Sequence, residues 1–334
     1  MKRVGVIGSF VWDVIHARVP GRTAVEEWGG ITYSLAALDA ALPAGWEIVP
    51  LMKIGADLAS RAREHLATLR HLAPDAALVE VPDPTSRVEL RYLNDERRTE
   101  RTWGGVRGWS WPALRPLLAA SRLDALYINF LSGWELDLET ALALRDHFDG
   151  PIYCDLHMLA TVVQPDGMRA MRPVPDVAAW CRCFDFLQVN EDEMRCLAPD
   201  PMALAATAMA SGVSALFVTM GRRGAVYFAA PDFERLSTDG ARPSAAEPRL
   251  ERAGARVGPI RTALTPAVDA PVSPLDADPT GCGDVWGATC FSRLVAGDKL
   301  LDAMRAAHAA AARNLGYRGA TGLAHHLRGE LTIP

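Results

Sequence analysis

Hydrophobic and polar positions along the chain switch between a period near two and a period near 3.6, and the switches divide it into strands and helices. Val4 to Gly8 predicts a buried first strand, followed by Ser9 to Asp13 and then a mixed polar and apolar stretch to Glu27. Gly29-Gly30 then precedes Ile31 to Leu42, whose apolar spacing suits a helix. Glu47 to Ile54 predicts the next strand, and Ile54 to Asp57 leads into a helix running to about Leu72. Val79 to Val81, Arg87 to Leu93 and Glu100 to Trp103 predict short strands around the turn-like Asn94-Asp95-Glu96. The alternation in Arg87 to Leu93 is too polar for the centre of a parallel sheet, so these strands are expected in a lid over a site.

From about Leu123 the alternation becomes regular. Ala125 to Phe130, Ile152 to Leu156, Phe186 to Val189 and Ala215 to Thr219 predict strands. Leu138 to Phe148, with Asp137 as its N-cap, Glu191 to Leu197 and Met202 to Ser211 predict helices. This is the pattern of a parallel sheet with helices on both faces. The stretch from about Thr238 to Pro274, rich in Pro, Ala and Arg, interrupts it and is expected to be a poorly ordered excursion with strand remnants. Val285 to Val295 predicts a buried helix. Leu300 to Leu315 carries apolar residues at 300, 301, 304, 307, 311, 312 and 315, again with helical spacing.

Composition narrows the function classes. The chain has 334 residues, 49% hydrophobic and 22% charged, as an ordinary soluble globular protein does. Its net charge is −5 without a block of like charges, so neither nucleic acid nor an anionic membrane is expected as a partner. The basic residues are almost all arginine, with Lys2, Lys53 and Lys299 the lysines, which reads as a compositional bias. Six scattered cysteines fit reduced thiols, and the spacing of Cys154, His157, Cys181 and Cys183 matches no zinc pattern. The N-terminus reads as a strand and not as a signal peptide. No segment reaches the roughly 20 apolar residues of a membrane span, so a cytoplasmic location is expected.

The candidate chemistry centres on Asp278 to Asp284, DPTGCGD, which ends a loop and opens a helix. Two glycines around a short side chain leave backbone N–H groups bare at the helix N-terminus, which makes an anion site. Asp284 stands in the first turn, where the helix dipole favours a carboxylate. An acid beside an anion cradle suggests phosphoryl transfer. Asp13 reads as a carboxylate at the C-terminal end of the first strand, where open α/β sheets bind ligands. Gly29 and Gly30 let the backbone approach a ligand closely. Asn190 and Glu193, three apart at a helix start, share one face and suit ordering magnesium through water, the plain alternative being a helix cap. Thr219 and Gly221 follow a buried strand and leave the backbone open to phosphates or ribose. Asp155, at a strand end, is a further substrate-side candidate, and His157 beside it reads as structural.

Several stretches together resemble one family, the ribokinase-like, or PfkB, carbohydrate kinases. DPTGCGD resembles the family's D-T-x-G-A-G-D, with Pro279 in the second place and Cys282 where alanine is commonest. Asn190-Glu191-Asp192-Glu193 resembles N-x-x-E, and Thr219 to Gly224 resembles T-x-G-x-x-G. Gly8 to Asp13, Gly29-Gly30 and Lys53 to Asp57 resemble the family's first-strand segment, its glycine pair and its K-V-G-x-D. Ser34 departs from the asparagine usual four positions after the second glycine, and a hydroxyl offers fewer contacts than an amide. The resemblance runs from about residue 3 to about 323.

It implies an α/β fold, a ribokinase-like three-layer α/β/α arrangement with a central mostly parallel sheet and a small β lid. One domain is expected over 1–334, with lid segments at about 14–27 and 87–103. It implies ATP and Mg2+ as cofactors and transfer of the γ-phosphate to a hydroxyl of a sugar or nucleoside, with Asp284 as general base. The amides of Gly281, Cys282 and Gly283 would hold the charge of the transferring group. Asn190, Thr219, Gly221, Gly224, Thr280 and Asn314 fall on the nucleotide side, and Glu193 with Asn190 at the metal. Asp13, Gly29, Gly30 and Ser34 fall on the acceptor side. Trp12 and Tyr33 would favour stacking on a base or sugar face, although core packing explains each as well. Arg87, Arg91, Arg98 and Arg101 would suit a phosphorylated substrate, an inference that the arginine bias weakens. The exposed edges of a lid hairpin lead to the expectation of a homodimer through the lid.

Other classes fit less well. No GxxxxGK[ST] occurs, which removes a P-loop kinase. Gly281-Cys282-Gly283 with Gly287 is no dinucleotide fingerprint, because no acidic residue follows at the ribose distance in a βαβ unit. The absence of GxSxG argues against an α/β-hydrolase. A non-catalytic sugar or nucleoside sensor keeping the fold is the remaining alternative, and the presence of Asp284 and both motif glycines speaks against it.

Overall fold

The computed structural model describes residues 1–16, 23–92, 98–236, 258–270, 272 and 277–330. Its strands in chain order are β1 (Lys2–Ile7), β2 (Phe10–His16), β3 (Val25–Gly30), β4 (Trp46–Pro50), β5 (Lys53–Gly55), β6 (Val79–Val81), β7 (Ser86–Tyr92) and β8 (Arg98–Trp103). They continue as β9 (Ala125–Asn129), β10 (Ile152–Asp155), β11 (Thr161–Val163), β12 (Arg169–Met171), β13 (Phe186–Asn190), β14 (Ala215–Thr219), β15 (Ala225–Ala229) and β16 (Arg261–Thr265). The helices are α1 (Ile31–Ala41), α2 (Ala59–Leu66), α3 (Trp111–Ser121), α4 (Leu138–His147) and α5 (Val177–Arg182). After them come α6 (Glu191–Leu197), α7 (Pro201–Ala210), α8 (Cys282–Val295), α9 (Leu300–Asn314) and α10 (Leu323–Leu327).

An eight-stranded sheet in the order β16-β15-β14-β13-β10-β9-β1-β4 forms the centre. Its pairs from β4 through β14 are parallel, and β15 and β16 add antiparallel strands at one side. Its central strands read as continuous apolar runs because helices cover both faces. Successive residues point to opposite faces, so Val4, Val6, Tyr127, Tyr153 and Phe217 share one core with α1, α8 and α9. Ile7, Ile128, Cys154 and Leu187 share the other core with α4 and α7.

The expected lid is a four-stranded sheet, β3-β2-β7-β8, in which β2 pairs antiparallel with β3 and parallel with β7. Two of its strands come from the stretch that looked mixed in sequence. This corrects the placement of Asp13: β1 ends at Ile7, and Asp13 belongs to β2, opposite Glu27. The expected strand over Glu47 to Ile54 divides into β4 and β5, because the chain leaves the central sheet after Leu51 and Lys53–Gly55 pairs instead with β6 in a separate two-stranded sheet. The helix expected to reach Leu72 ends at Leu66, where the Thr68 hydroxyl takes the His65 carbonyl. Helices α3, α5 and α10, the β11–β12 hairpin and β15 add to the predicted elements. Within the Pro, Ala and Arg-rich stretch, β16 is the strand; residues 238–257, 271, 273 and 274 lie outside the described residues, as do 17–22 of the first lid segment and the turn at 94–96. Among the described residues no helix is long and apolar enough to cross a membrane.

Candidate active site

The carboxyl ends of the parallel strands converge on the N-terminus of α8. Asn129 ends β9, Asp155 ends β10, Asn190 ends β13 and Thr219 ends β14. Open α/β sheets bind ligands at this edge. Gly281 caps α8 with φ 75°, a conformation favouring glycine, and a Cβ there would lie 2.2 Å from the buried ring of Tyr33. A Cβ on Gly283 would meet only Gln188 Nε2, at 3.9 Å, so the first turn has open space beside it. The amides of Gly281 and Gly283 have no protein acceptor among the described residues. The Cys282 amide differs from expectation: it donates to the Pro279 carbonyl at 3.1 Å, because the loop closes a turn there.

Asp284, in the first turn of α8, is met by Asn129, whose Nδ2 donates to its Oδ1 at 2.6 Å. The same Nδ2 lies 3.3 Å from Ser34 Oγ, and Ser34 Oγ lies 3.4 Å from the Tyr127 hydroxyl. Gln188 links the neighbouring strands to the helix. Its Nε2 donates to Asp155 Oδ2 at 2.9 Å and to the Gly283 carbonyl at 3.1 Å, while its Oε1 accepts from the Tyr153 hydroxyl at 2.7 Å.

Charge is concentrated here. Burial pushes the Asp155 carboxyl well above its usual range; the charges of Glu193 and Asp284 add to this, and His157 opposes it. Burial works to lower the His157 imidazole, but the Glu193 hydrogen bond at 2.7 Å and the nearby carboxylates outweigh it and raise His157 to about 10. Burial, with the Asp155 and Asp284 charges, also raises the Tyr127 phenol well above its ordinary value. His157, expected to be structural, is thus the cation of an acidic cluster, and Asp155 stands inside the cluster.

Asn190 and Glu193 form a capping box at the start of α6. Asn190 Oδ1 accepts from the Asp192 and Glu193 amides. Glu193 Oε2 accepts from the Asn190 amide, and its Oε1 from Asn190 Nδ2 and His157 Nδ1. These contacts make a helix cap and leave Glu193 Oε2 a further lone pair, the one that ordering magnesium through water would use. Among the described residues no group of three or more His, Cys, Asp or Glu is arranged to hold a metal.

Other nucleotide-side candidates fall in different places. Thr219 ends β14, half-buried, with Gly221 after it at φ 54°. Gly224 is needed by packing, since a Cβ would lie 2.0 Å from the Thr265 carbonyl of β16. Thr280 is buried against Asp278, to which its amide and hydroxyl donate at 2.9 and 2.6 Å. Asn314 is fully buried and donates to the Thr280 carbonyl at 2.8 Å. Thr280 and Asn314 therefore brace the loop from behind.

On the acceptor side, Asp13 is buried on β2, and a Cβ on Gly29 would fall 1.8 Å from its carboxylate. Gly30 takes φ 59° where β3 turns into α1. Tyr33 is 1% exposed, a core side chain beneath Gly281, so it is no stacking platform. Trp12 packs edge-on against Trp28. Arg87 pairs with Asp57, Arg91 with Glu89, and Arg101 donates to the Asp166 carbonyl, which occupies these three lid arginines; the Arg98 side chain lies outside the described residues. A separate cleft under the lid is lined by Ser9, Lys53, Ser86, Trp109 and Glu135, among others, and contains none of the motif residues at α8. Asn129 and Gln188 escaped the sequence analysis, where each is a lone polar residue in an apolar strand.

No family model matches the chain, and no curated protein matches it. Solved structures do. Ribokinase from Arabidopsis thaliana, complexed with ribose and ATP, is 17% identical with a TM-score of 0.64, over 100% of this chain and 99% of that one. A nucleoside kinase from Burkholderia thailandensis, in complex with inosine, is 17% identical with a TM-score of 0.65, over 96% and 94%. A pyrophosphate-dependent kinase in the ribokinase family, in a sulfate complex, is 14% identical with a TM-score of 0.67, over 96% of each chain. The chain has the ribokinase-like α/β fold, a large mostly parallel sheet between helices with a small lid sheet.

Proposed function

We propose that this chain is a phosphotransferase that moves the γ-phosphate of ATP to a hydroxyl of a sugar or nucleoside, with Asp284 as general base. The observation that carries the reading is the α8 N-terminus: amides of Gly281 and Gly283, without protein acceptors among the described residues, stand beside a carboxylate at the carboxyl edge of the sheet. Asp284 accepts the proton of the acceptor hydroxyl as that oxygen attacks phosphorus in line. The bond from phosphorus to the bridging oxygen breaks, and ADP leaves with its electron pair. The helix dipole and the two glycine amides face the charge on the phosphoryl oxygens. Magnesium bound with ATP would neutralise charge on the phosphates, and Asn190 and Glu193 would order it through water. Asp13, on the buried face of the lid, is the acceptor-side carboxylate, and a homodimer through the lid belongs to the same proposal.

The test is ADP release over a panel of pentoses, hexoses, sugar phosphates and nucleosides, run with wild type and Asp284→Asn. Parallel reactions with pyrophosphate ask which donor is used. Loss of the base is expected to lower kcat by about 10²- to 10⁴-fold. No turnover of any acceptor, together with no ATP binding by calorimetry, would sink the proposal. Light scattering on the eluting protein checks the dimer, and a monomer mass across the working concentration range removes it.

A further inference from the structure

We infer that Asn129 is a positioning residue for Asp284, holding the carboxylate in one orientation and joining it to Ser34 on the acceptor side. The inference rests on the reading of Asp284 as the base. Asn129 is the last residue of β9 and is fully buried. Its contact to Asp284, at 2.6 Å, joins positions 155 residues apart in the chain. The orientation of the amide follows from chemistry, since an ionised carboxylate only accepts hydrogen bonds and the NH2 group must face it. From there the polar path continues to Ser34 Oγ and the Tyr127 hydroxyl.

The other end of the amide works against stability. Asn129 Oδ1 is buried without a hydrogen-bond partner among the described residues. A buried carbonyl left unpaired is destabilising, and a leucine of similar size would remove the penalty. What a leucine cannot do is donate to Asp284. That donation restricts the carboxylate's torsions, so the acceptor hydroxyl meets it from one direction, and it favours the ionised form that can take a proton. Ser34 lacks an amide, and Asn129 brings one to the same place from the neighbouring strand.

The experiment uses full-length protein with 13C-labelled aspartate, in which the Asp284 Cγ resonance is assigned by its loss in Asp284→Asn. In Asn129→Leu the midpoint of that resonance is expected to rise by about one pH unit. Turnover is followed as ADP release from MgATP with each acceptor of the panel, D-ribose and inosine included. In the same variant kcat falls by about 10- to 100-fold, its acid limb moves to higher pH, and KM for MgATP stays within about twofold. Asn129→Gln, which keeps the donor, recovers part of both. An unmoved Asp284 titration in a leucine variant that melts lower but turns over normally would make Asn129 a structural brace and overturn the inference. If the Asp284 resonance moves as expected while Asp284→Asn turns over like wild type, the base reading fails and the Asn129 contact stands.

Discussion

Substitution of Gly281 by alanine tests how tightly the α8 N-terminus is built. Gly281 has φ 75°, and an added Cβ would lie 2.2 Å from Tyr33 Cδ1 and 2.4 Å from Cγ. Ordinary carbon contacts are about 3.5 to 4.0 Å, so ring or loop must move by about 1.5 Å. Tyr33 is 1% exposed inside α1, which packs along α8, and so has little room to withdraw. The left-handed backbone costs a non-glycine residue about 1–2 kcal/mol. Overpacking adds about 1–3 kcal/mol, for a total of about 2–5 kcal/mol. Urea unfolding followed by circular dichroism measures this, in wild type and in a Tyr33→Ala background. With the ring removed, the same substitution is expected to cost only the backbone part, about 1–2 kcal/mol. Turnover of the folded Gly281→Ala protein should fall by about 10²-fold, because Asp284 sits three residues on and moves with the turn. An equal cost in both backgrounds, or a loss below about 1 kcal/mol with unchanged turnover, would refute the geometry.

Two further expectations concern pH and the C-terminal segment. His65 is 6% exposed, and burial pushes its imidazole down to about 4 from 6.5, so the unfolded chain binds the proton first as pH falls. Its contribution to stability is therefore lost between pH 6.5 and about 4, at most about 3 kcal/mol, and His65→Leu should flatten urea-measured stability across that window. An unchanged slope in the variant rules this out. Burial works to raise the Asp39 carboxyl, but hydrogen bonds from His71 and Arg328 win and hold it below 3.8. Its stabilisation is present above pH 3.8 and lost as pH falls through the lower folded value. Arg328→Met leaves that carboxylate buried with one partner fewer and should cost about 3–5 kcal/mol at neutral pH, most of it recovered by adding Asp39→Leu. Additive losses in the double variant would show that the pair is not coupled.

The central sheet was legible in sequence because its strands are buried on both faces and read as mainly apolar runs, β1, β9, β13 and β14 among them. The lid was half legible. The alternation of β7 announced itself, whereas β2 mixes Phe10, Trp12 and Asp13 with no clean period, since its two faces pack against different neighbours. The cradle and Asp284 were visible as a local motif within seven residues. Their partners were not: Gln188 reaches Gly283 across 95 positions, and no local spacing encodes such a contact. Nor does the motif announce the bracing role of Thr280 and Asn314, whose hydrogen bonds run to Asp278 and to the Thr280 carbonyl.

The departures from the family's pattern divide by what they touch. Pro279 offers its carbonyl to the Cys282 amide, and Cys282 Sγ receives Asn314 Nδ2 at 3.3 Å and lies 3.6 Å from the Ala311 carbonyl. Both variants therefore act on the joint between the loop and α9, behind the cradle. They alter how the loop is held and leave the open side of the first turn, at Gly283, unchanged. Ser34 is different, because its hydroxyl faces the amide that holds Asp284. A shorter side chain there changes the space and the donors on the acceptor side of the base. On the proposed reading, the chemistry of transfer and the choice of acceptor are carried by different substitutions. Whatever distinguishes this chain's substrate is to be sought around Ser34, Asn129 and Asp13 rather than in the altered motif itself.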